Sequence, residues 1–205
     1  MTNLDLTPKK QHLLEAAIAV FSAKGFEKAS MRDIASAAGL TTGALYHHYR
    51  NKDDLFYDAV KHTAYFVHRL SEFNEHKQLK SRELIFDEIQ QNVKLRMSKA
   101  VEQRLLILLS AYAISHGGQI TERYKADYTE IIHRVAEMFT YAFGVDNKAH
   151  QTQLATILTA ALDGVAIQYS LGILDIHDEA FKETFVRFFA ESIPAYLTHH
   201  PTQEV

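Results

Sequence analysis

The stretch from Leu40 to Lys52 constrains the fold of this chain more than any other feature. Gly39 can end the preceding helix, because glycine adopts the left-handed backbone conformation at little cost. Thr41 can then cap the helix that follows by accepting a hydrogen bond from its free backbone donors. In that helix Leu45 and Tyr49 have the spacing of a buried face. The stretch therefore predicts two short helices joined by a tight turn.

The opposite face of the second short helix is polar and aromatic but nearly free of charge. It carries Thr42, Gly43, Tyr46 and His47. Hydroxyl, phenol and imidazole groups form hydrogen bonds with phosphates and with base edges, and Gly43 has no side chain to hold a DNA backbone away. This face predicts a DNA-reading helix.

The residues upstream fit the first half of a helix-turn-helix motif. Ser30 and Asp33 have the spacing of a capping box, and residues 31–38 form a short helix that buries Ile34 and Ala35. Arg32 projects from its first turn. The motif as a whole is predicted at residues 30–49.

Residues 25–35 and 39–56 together closely resemble the TetR family of bacterial transcriptional regulators. The resemblance spans roughly Thr7 to Val67 and includes an aromatic pair, His48 and Tyr49, followed by a basic residue, Asn and Lys at residues 50–52. It implies a three-helix DNA-binding domain at residues 7–67 and a larger helical domain for ligand binding and dimerisation at residues 74–205. A long fourth helix is expected to join the two domains.

The candidate DNA contacts lie on the outward face of the reading helix or on the caps and cations beside it. Lys52 follows the reading helix at the start of the next one, where an ammonium group is well placed to hold a phosphate. A solvated surface charge is the alternative interpretation of Lys52. The full set is Ser30, Arg32, Thr41, Thr42, Gly43, Tyr46, His47, His48 and Lys52.

Charge is distributed unevenly along the chain. The net charge is −3, but residues 1–61 hold 8 Lys or Arg against 7 Asp or Glu, a balance of +1 that leaves −4 downstream. The asymmetry is modest, and ordinary surface variation would also produce it. The placement of Arg32, Arg50 and Lys52 around the reading helix is the more informative observation.

Cysteine is absent, which excludes disulfides and thiol catalysis and agrees with a reducing compartment. The first ten residues are polar, so no signal peptide is expected, and no apolar run approaches the ~20 residues of a membrane span. These features predict a cytoplasmic protein without a membrane partner.

The rest of the chain has helical periodicity, with no strand alternation and no nucleotide-binding glycine loop. An all-α chain of about nine helices follows, with a polar boundary at residues 74–81. The predicted long helices run from Pro8 to Lys24, Asn51 to Phe73, Ser81 to Ala100, Glu102 to Ser115, Gln119 to Phe143, Lys148 to Leu171 and His177 to Leu197.

The last two long helices carry more apolar surface than two peripheral helices can leave exposed, which predicts a homodimer interface. The resemblance implies a four-helix interface here, and a run at residues 162–166 is similar to family dimer helices. The alternative is that these side chains close the core of a monomer. The candidate interface residues are Leu158, Ala161, Gly164, Val165, Phe181, Phe185 and Phe188.

The central helices combine apolar bulk with a few polar groups, as small-molecule sites do. Ordinary core packing is the alternative interpretation for each of these residues. The candidate pocket residues are Phe86, Met97, Leu109, Tyr112, His116, Tyr128, Met138 and Gln168.

An enzyme is the main rival class, and the sequence disfavours it. The 12 histidines show neither His-x-x-x-His nor His-Glu-x-x-His spacing, and no Gly-x-Ser-x-Gly motif occurs. No metal or cofactor is therefore expected. The sequence predicts a homodimeric repressor released from a palindromic operator by a small-molecule ligand. A ligand-independent architectural DNA-binding protein and a corepressor-dependent regulator remain as alternatives.

Overall fold

The computed structural model describes residues 7–63, 81–143 and 148–200, and all regular secondary structure in these ranges is helical. The expectation of an all-α fold is confirmed. The helices are α1 (Pro8–Lys28), α2 (Met31–Ala37), α3 (Thr42–His48), α4 (Lys52–Thr63), α5 (Arg82–Met97), α6 (Ala100–His116), α7 (Gly118–Phe143), α8 (Lys148–Ser170) and α9 (Glu179–His199).

Helix α1 begins as predicted, with Pro8 in its first turn and the Thr7 hydroxyl accepting from the Lys10 amide at 3.4 Å. Gly25 leaves the helical conformation, with φ 75° and ψ 166°, so the first helical run ends at Lys24 as predicted. One further helical turn follows, and α1 ends at Lys28. Helix α1 therefore consists of two helical segments joined by a kink at Gly25.

The turn between α2 and α3 follows from glycine chemistry. Gly39 has φ 64°, which a residue with a Cβ adopts only with strain. The Leu40 amide then donates to the Ala35 carbonyl at 2.8 Å, and the Gly39 amide donates to Ser36 at 3.2 Å. These two bonds form a Schellman motif, which satisfies the last carbonyls of α2 and turns the chain into α3.

Helix α4 starts after Asn51, whose side-chain oxygen accepts from the Asp54 amide at 2.7 Å. This is the predicted cap. The described part of the helix ends at Thr63. Its predicted continuation to Phe73, the end of the first domain at residue 67 and nearly all of the polar boundary at residues 74–81 lie outside the described residues.

The chain divides into two compact units. Among the described residues, the first unit contains residues 7–63 and 104–124, and the second contains residues 81–103, 125–143 and 148–200. The predicted division placed residues 104–124 in the C-terminal domain. In the structure Leu105 and Leu109 are 2% and 3% exposed and join the core of the first unit.

The core of the first unit is aromatic and anchors helix α3. Phe21 and Phe26 lie with their ring centroids 4.8 Å and 4.7 Å from that of Phe56. Helix α3 enters this unit through Leu45 and Tyr49, which are 0% and 6% exposed. Burial at both positions leaves the opposite face of α3 turned to solvent.

The second unit is built around the inner faces of α8 and α9. Its buried apolar residues in these two helices are Leu154, Ala155, Leu158, Leu162, Val165, Ala166, Val186, Ile193 and Leu197. Among the helices in the described ranges, none combines the length and the apolar character that crossing a membrane requires.

Candidate nucleic-acid interface

The outward face of α3 has the composition and the exposure of a reading surface. Gly43, Tyr46, His47 and His48 are exposed, Tyr46 to 51%, and Thr42 is half-buried at the start of the helix. Since Leu45 and Tyr49 anchor the other side, these groups project together from one short helix. The arrangement presents hydrogen-bonding groups and an aromatic ring without a single carboxylate.

Two caps hold the N-terminal ends of α2 and α3. The Thr41 hydroxyl accepts from the Ala44 amide at 3.1 Å, and the Ser30 hydroxyl accepts from the Asp33 amide at 3.1 Å. Asp33 accepts in return from the Ser30 amide at 3.0 Å, which completes the predicted capping box. Ser30 and Thr41 are both exposed, so capping leaves their hydroxyl groups at the surface.

Asp33 is held in its charged form by its neighbours. The Lys24 ammonium lies 2.8 Å from its carboxylate, and the Ser30 hydroxyl donates to it at 2.8 Å. The hydrogen bond from Lys24, followed by those from Ser30, lowers the pKa of Asp33 to about 2. The capping box therefore stays intact at neutral pH.

The cations around α3 divide into those at the surface and those already engaged. Arg32 and Arg50 are exposed on either side of the reading helix. Lys24 is engaged with Asp33, and the Lys10 ammonium lies 4.0 Å from an Asp58 oxygen. Arg32 and Arg50 therefore keep their guanidinium groups at the surface beside α3.

Lys52 departs from the expectation of a solvent-facing phosphate anchor. Its ammonium donates to the carbonyl oxygens of Phe26 at 2.7 Å, Ala29 at 3.1 Å and Glu27 at 3.4 Å. It also lies 4.2 Å from the centroid of the Phe26 ring. The Lys52 ammonium thus satisfies carbonyl groups at the C-terminal end of α1, because a helix terminus leaves carbonyl groups that need donors.

A cluster of hydrogen bonds and ion pairs beside Tyr49, the C-terminal cap of α3, was not predicted from the sequence. The Tyr49 hydroxyl donates to Asp58 at 3.0 Å, and burial is the main cause that raises the pKa of Tyr49 above its usual range. Arg123 donates to Asp54 at 2.9 Å and to Asp58 at 3.3 Å, with its guanidinium carbon 4.0 Å from the centroid of the Tyr57 ring. More than sixty positions of sequence separate Arg123 from these carboxylates, so no local pattern indicates the cluster.

The candidate pocket residues do not all belong to one compact unit. Leu109, Tyr112 and His116 lie in the first unit, and the other five lie in the second. In the first unit Leu109 is core, Tyr112 donates to Asp53 at 3.1 Å, and the Tyr112 ring stacks on His116 at 3.9 Å. His116 itself is exposed. Burial, followed by the bond to Asp53, raises the pKa of Tyr112 to about 12.

In the second unit the candidate pocket residues have mixed surroundings. Met97 and Met138 are 0% and 3% exposed, and Phe86 lies against Phe143 with ring centroids 5.8 Å apart. The Tyr128 hydroxyl donates to Asp163, which also accepts from Arg96. Gln168 is exposed. The assignment of these residues to a ligand site stays a prediction.

The candidate dimer residues divide between the inside and the outside of the second unit. Leu158 and Val165 are 4% and 6% exposed and serve the core of their own subunit. Phe188 is 62% exposed, while Phe181 and Phe185 are half-buried in a row of aromatic rings. Ala161 and Gly164 lie near the surface of α8, half-buried.

Exposed apolar residues of α8, and one directly after its end, lie close to these positions in sequence. Ile157 and Ile167 of α8 are 56% and 46% exposed, and Leu171, which follows the helix, is 69% exposed. With Gly164 they recur at intervals of seven, three and four residues, so Ile157, Gly164 and Ile167 form one stripe along the helix and Leu171 continues it.

Comparison with known proteins agrees with this geometry. Residues 13–59 match the family described as bacterial regulatory proteins, tetR family. The transcriptional regulator AcrR of Shigella flexneri is 42% identical over 55 residues, which cover 27% of this chain and 26% of that protein. The transcriptional repressor KstR2 of Mycobacterium tuberculosis is 40% identical over 47 residues, covering 23% of this chain and 24% of that protein. The match therefore spans about a quarter of the length of these curated relatives.

Similarity of structure extends much further along the chain. The crystal structure of a TetR transcription regulator from Haloarcula marismortui superimposes with a TM-score of 0.72, covering 91% of this chain and 98% of that one at 13% identity. At that level of identity the likeness concerns the fold. The chain thus carries a TetR-type N-terminal domain at residues 13–59 within a chain-wide fold like that of TetR-family regulators.

Proposed function

We propose that this chain is a homodimeric, sequence-specific DNA-binding transcriptional regulator that represses transcription from a palindromic operator. One observation carries the proposal: the packed and capped helix α3 presents an outward face of hydrogen-bonding groups without a carboxylate. Such a regulator works beside the chromosome in the bacterial cytoplasm. Its activity is binding, and it needs no catalytic group or cofactor.

The proposed DNA contacts fall into two kinds. Thr42 and His47 lie on the outward face of α3 and are assigned to base edges, because hydroxyl and imidazole groups there reach the major groove. Gly43 allows close approach of the backbone, and Tyr46 and His48 are assigned to phosphates or neighbouring bases. Ser30, Arg32 and Thr41 are assigned to the phosphate backbone. Lys52 is left out of this set because its ammonium is bound by carbonyl groups.

The proposed dimer interface uses the outer faces of α8 and α9. The stripe that contains Ile157, Gly164, Ile167 and Leu171, together with Phe188, is apolar and largely exposed. A two-fold axis would pair this surface with the same surface of a second copy. Two reading helices related by that axis would meet successive major grooves, which explains why a palindromic operator is expected.

A small-molecule effector is the remaining part of the proposal. The relatives AcrR and KstR2 are named as a transcriptional regulator and a repressor, and the larger part of this chain is available for a sensing role. An inducer must favour the conformation that does not bind DNA, and operator DNA must then weaken its binding by the same factor. A corepressor would show the opposite sign. An architectural protein would show no effector at all.

The test is selection of DNA from a pool of random duplexes by the purified full-length protein. We expect an inverted repeat whose half-sites lie about 10 base pairs apart, centre to centre, or a multiple of that spacing. His47→Ala and Thr42→Ala should each change the base preference at particular positions, by about 1–3 kcal/mol. His133→Ala removes an exposed histidine from the second unit and should leave the selected sequence unchanged. Failure to enrich any sequence would overturn the proposal.

The effector is sought separately by thermal-shift screening of small molecules against the same protein. A compound that stabilises the free protein is then titrated with and without saturating selected duplex. Weaker binding in the presence of DNA identifies an inducer, and tighter binding identifies a corepressor. Equal affinities would leave that compound without a regulatory role.

A further inference from the structure

Helix α4 presents three carboxylates that are engaged by the segment 104–124 of the same compact unit. Arg123 binds Asp54 and Asp58 at 2.9 Å and 3.3 Å, and the Tyr112 hydroxyl donates to Asp53 at 3.1 Å. The two arginine contacts use different nitrogen atoms, Nη1 and Nη2. The guanidinium fork therefore spans one turn of α4, since residues 54 and 58 lie on the same side of a helix.

Asp58 connects the ion pairs of Arg123 to the reading helix. One of its oxygens accepts from Arg123, and the other accepts from the Tyr49 hydroxyl at 3.0 Å. Tyr49 is the C-terminal cap of α3, and its amide donates to the Leu45 carbonyl at 3.0 Å. A single carboxylate thus joins Arg123 of α7 to the C-terminal cap of the reading helix.

The orientation of Arg123 is fixed on a third side. Its guanidinium carbon lies 4.0 Å from the centroid of the Tyr57 ring, on the turn of α4 between the two carboxylates. Stacking on an aromatic ring restrains a planar group that would otherwise rotate between water-exposed partners. The Arg123 side chain is 35% exposed, so each ion pair alone contributes little to the stability of the fold. The effect of the arrangement is to fix the position of Arg123 relative to α4.

The reading helix needs such support. It has only seven residues and is anchored in the core at Leu45 and Tyr49. A recognition constellation must be held within about 0.5 Å of its productive geometry, and supporting side chains supply that restraint. At its C-terminal end, the buried Tyr49 directly follows His47 and His48 in the chain. Displacing Tyr49 therefore displaces the groups assigned to DNA.

We propose that Arg123 is a positioning residue for DNA reading, and that it acts on α3 through Asp58 and Tyr49. This inference rests on the proposed function, in that α3 is the helix that reads DNA. It adds that the reading unit includes segment 104–124 and extends beyond the helix-turn-helix. A change that withdraws Arg123 from α4 loosens α3 without touching any DNA contact.

The first experiment measures amide hydrogen exchange in the free full-length protein. Arg123→Gln should accelerate exchange at the amides of Leu45 to Tyr49 by about tenfold, because the restraint on the end of α3 is lost. Amides in the middle of α1 should keep their wild-type rates. Arg134→Gln is the matched control, since Arg134 pairs with Glu130 on its own helix and lies in the second unit.

The second experiment measures binding to the duplex selected by the wild-type protein. Arg123→Gln should weaken binding to that duplex by about tenfold while binding to a random-sequence duplex stays within about twofold. Tyr49→Phe should produce a similar loss, and the double variant should lose no more than either single variant. Such non-additivity is expected when Arg123 and Tyr49 act through the same set of contacts, those to Asp58. Arg123→Lys should recover only part of the affinity, because one ammonium does not span both carboxylates.

Three results would overturn the proposal. They are unchanged α3 exchange in Arg123→Gln, equally accelerated exchange in α1 and α3, and additive losses in the Tyr49 and Arg123 variants. The second result would mean that Arg123 only stabilises the fold. Failure of the proposed function is distinct: the wild-type protein would then select no duplex, and the exchange experiment would still decide whether Arg123 restrains α3.

Discussion

Replacing Lys52 with methionine separates the phosphate-anchor role that the sequence predicts from the structural role that its contacts indicate. The structure places its ammonium on the carbonyl groups of Phe26 and Ala29, with a longer contact to Glu27, and over the Phe26 ring. Methionine keeps most of the side-chain stem against that ring but has no donor and no charge. The substitution therefore removes the polar interaction with limited loss of packing.

The expected cost follows from the contacts. A hydrogen bond from a charged donor contributes about 1.5–3 kcal/mol when its partners are shielded from water. Here the sites at Phe26 and Ala29 are partly buried, so water can replace part of what is lost. We expect Lys52→Met to lower the free energy of unfolding by about 2 kcal/mol. For a chain of this size that lowers the melting temperature by about 4–8 °C.

Thermal unfolding and the salt dependence of DNA binding are measured on the same preparation. If Lys52 closes the end of α1, the melting temperature falls and the slope of log affinity against log salt concentration is unchanged. If Lys52 is a phosphate anchor, stability is unchanged and the slope decreases by about one. A wild-type melting temperature combined with a reduced slope would refute the structural role of Lys52.

Three further outcomes are expected. Gly39→Ala should lower the free energy of unfolding by about 1–2 kcal/mol, because φ is 64° there although a Cβ would meet nothing within 4 Å. In the same urea titration Gly43→Ala should not destabilise the protein, because Gly43 is helical and a Cβ there would meet only the Thr41 hydroxyl oxygen, at 4.0 Å. Gly164→Arg should leave the helical circular dichroism of the subunit intact, since a Cβ at Gly164 also meets nothing within 4 Å. If light scattering still showed a dimer for this variant, the interface would lie elsewhere. The pKa of Asp33 is about 2 in the folded state and 3.8 in the unfolded state, so the ionised carboxylate stabilises the fold above about pH 4. The stability advantage of the wild-type protein over Asp33→Asn should therefore vanish as the pH falls through about 2. An advantage that persisted below about pH 2 would contradict the role of Asp33 in the capping box.

Local chemistry made the helix-turn-helix predictable. Three of the four boundaries of α2 and α3 are set by residues within a few positions of them: Ser30 with Asp33, Gly39, and Thr41. Cap and turn preferences act over such short distances that the sequence contains their cause. The same holds for Asn51, which caps α4 as predicted.

Long-range contacts set the remainder, and the sequence contains no signal for them. Lys52 finds its acceptors on backbone carbonyls 23 to 26 positions away, and carbonyl groups have no residue signature. Arg123 meets Asp58 from 65 positions away. On α8 the apolar residues cover two faces, and only packing decides that Leu158 turns inward while Ile157 turns outward. Periodicity identifies an apolar helix but does not indicate which of its faces packs into the core of its own subunit.

The central claim, that α3 reads the major groove, is tested most directly by methylation interference on the selected duplex. Methylation of guanine N7 places a group on the major-groove edge that Thr42 and His47 are assigned to contact. We predict that methylation blocks binding at guanines in two clusters, one in each half-site, about 10 base pairs apart or a multiple of that distance. His47→Ala should relieve the interference at one position in each cluster. Binding that tolerated N7 methylation throughout the selected duplex would contradict the account.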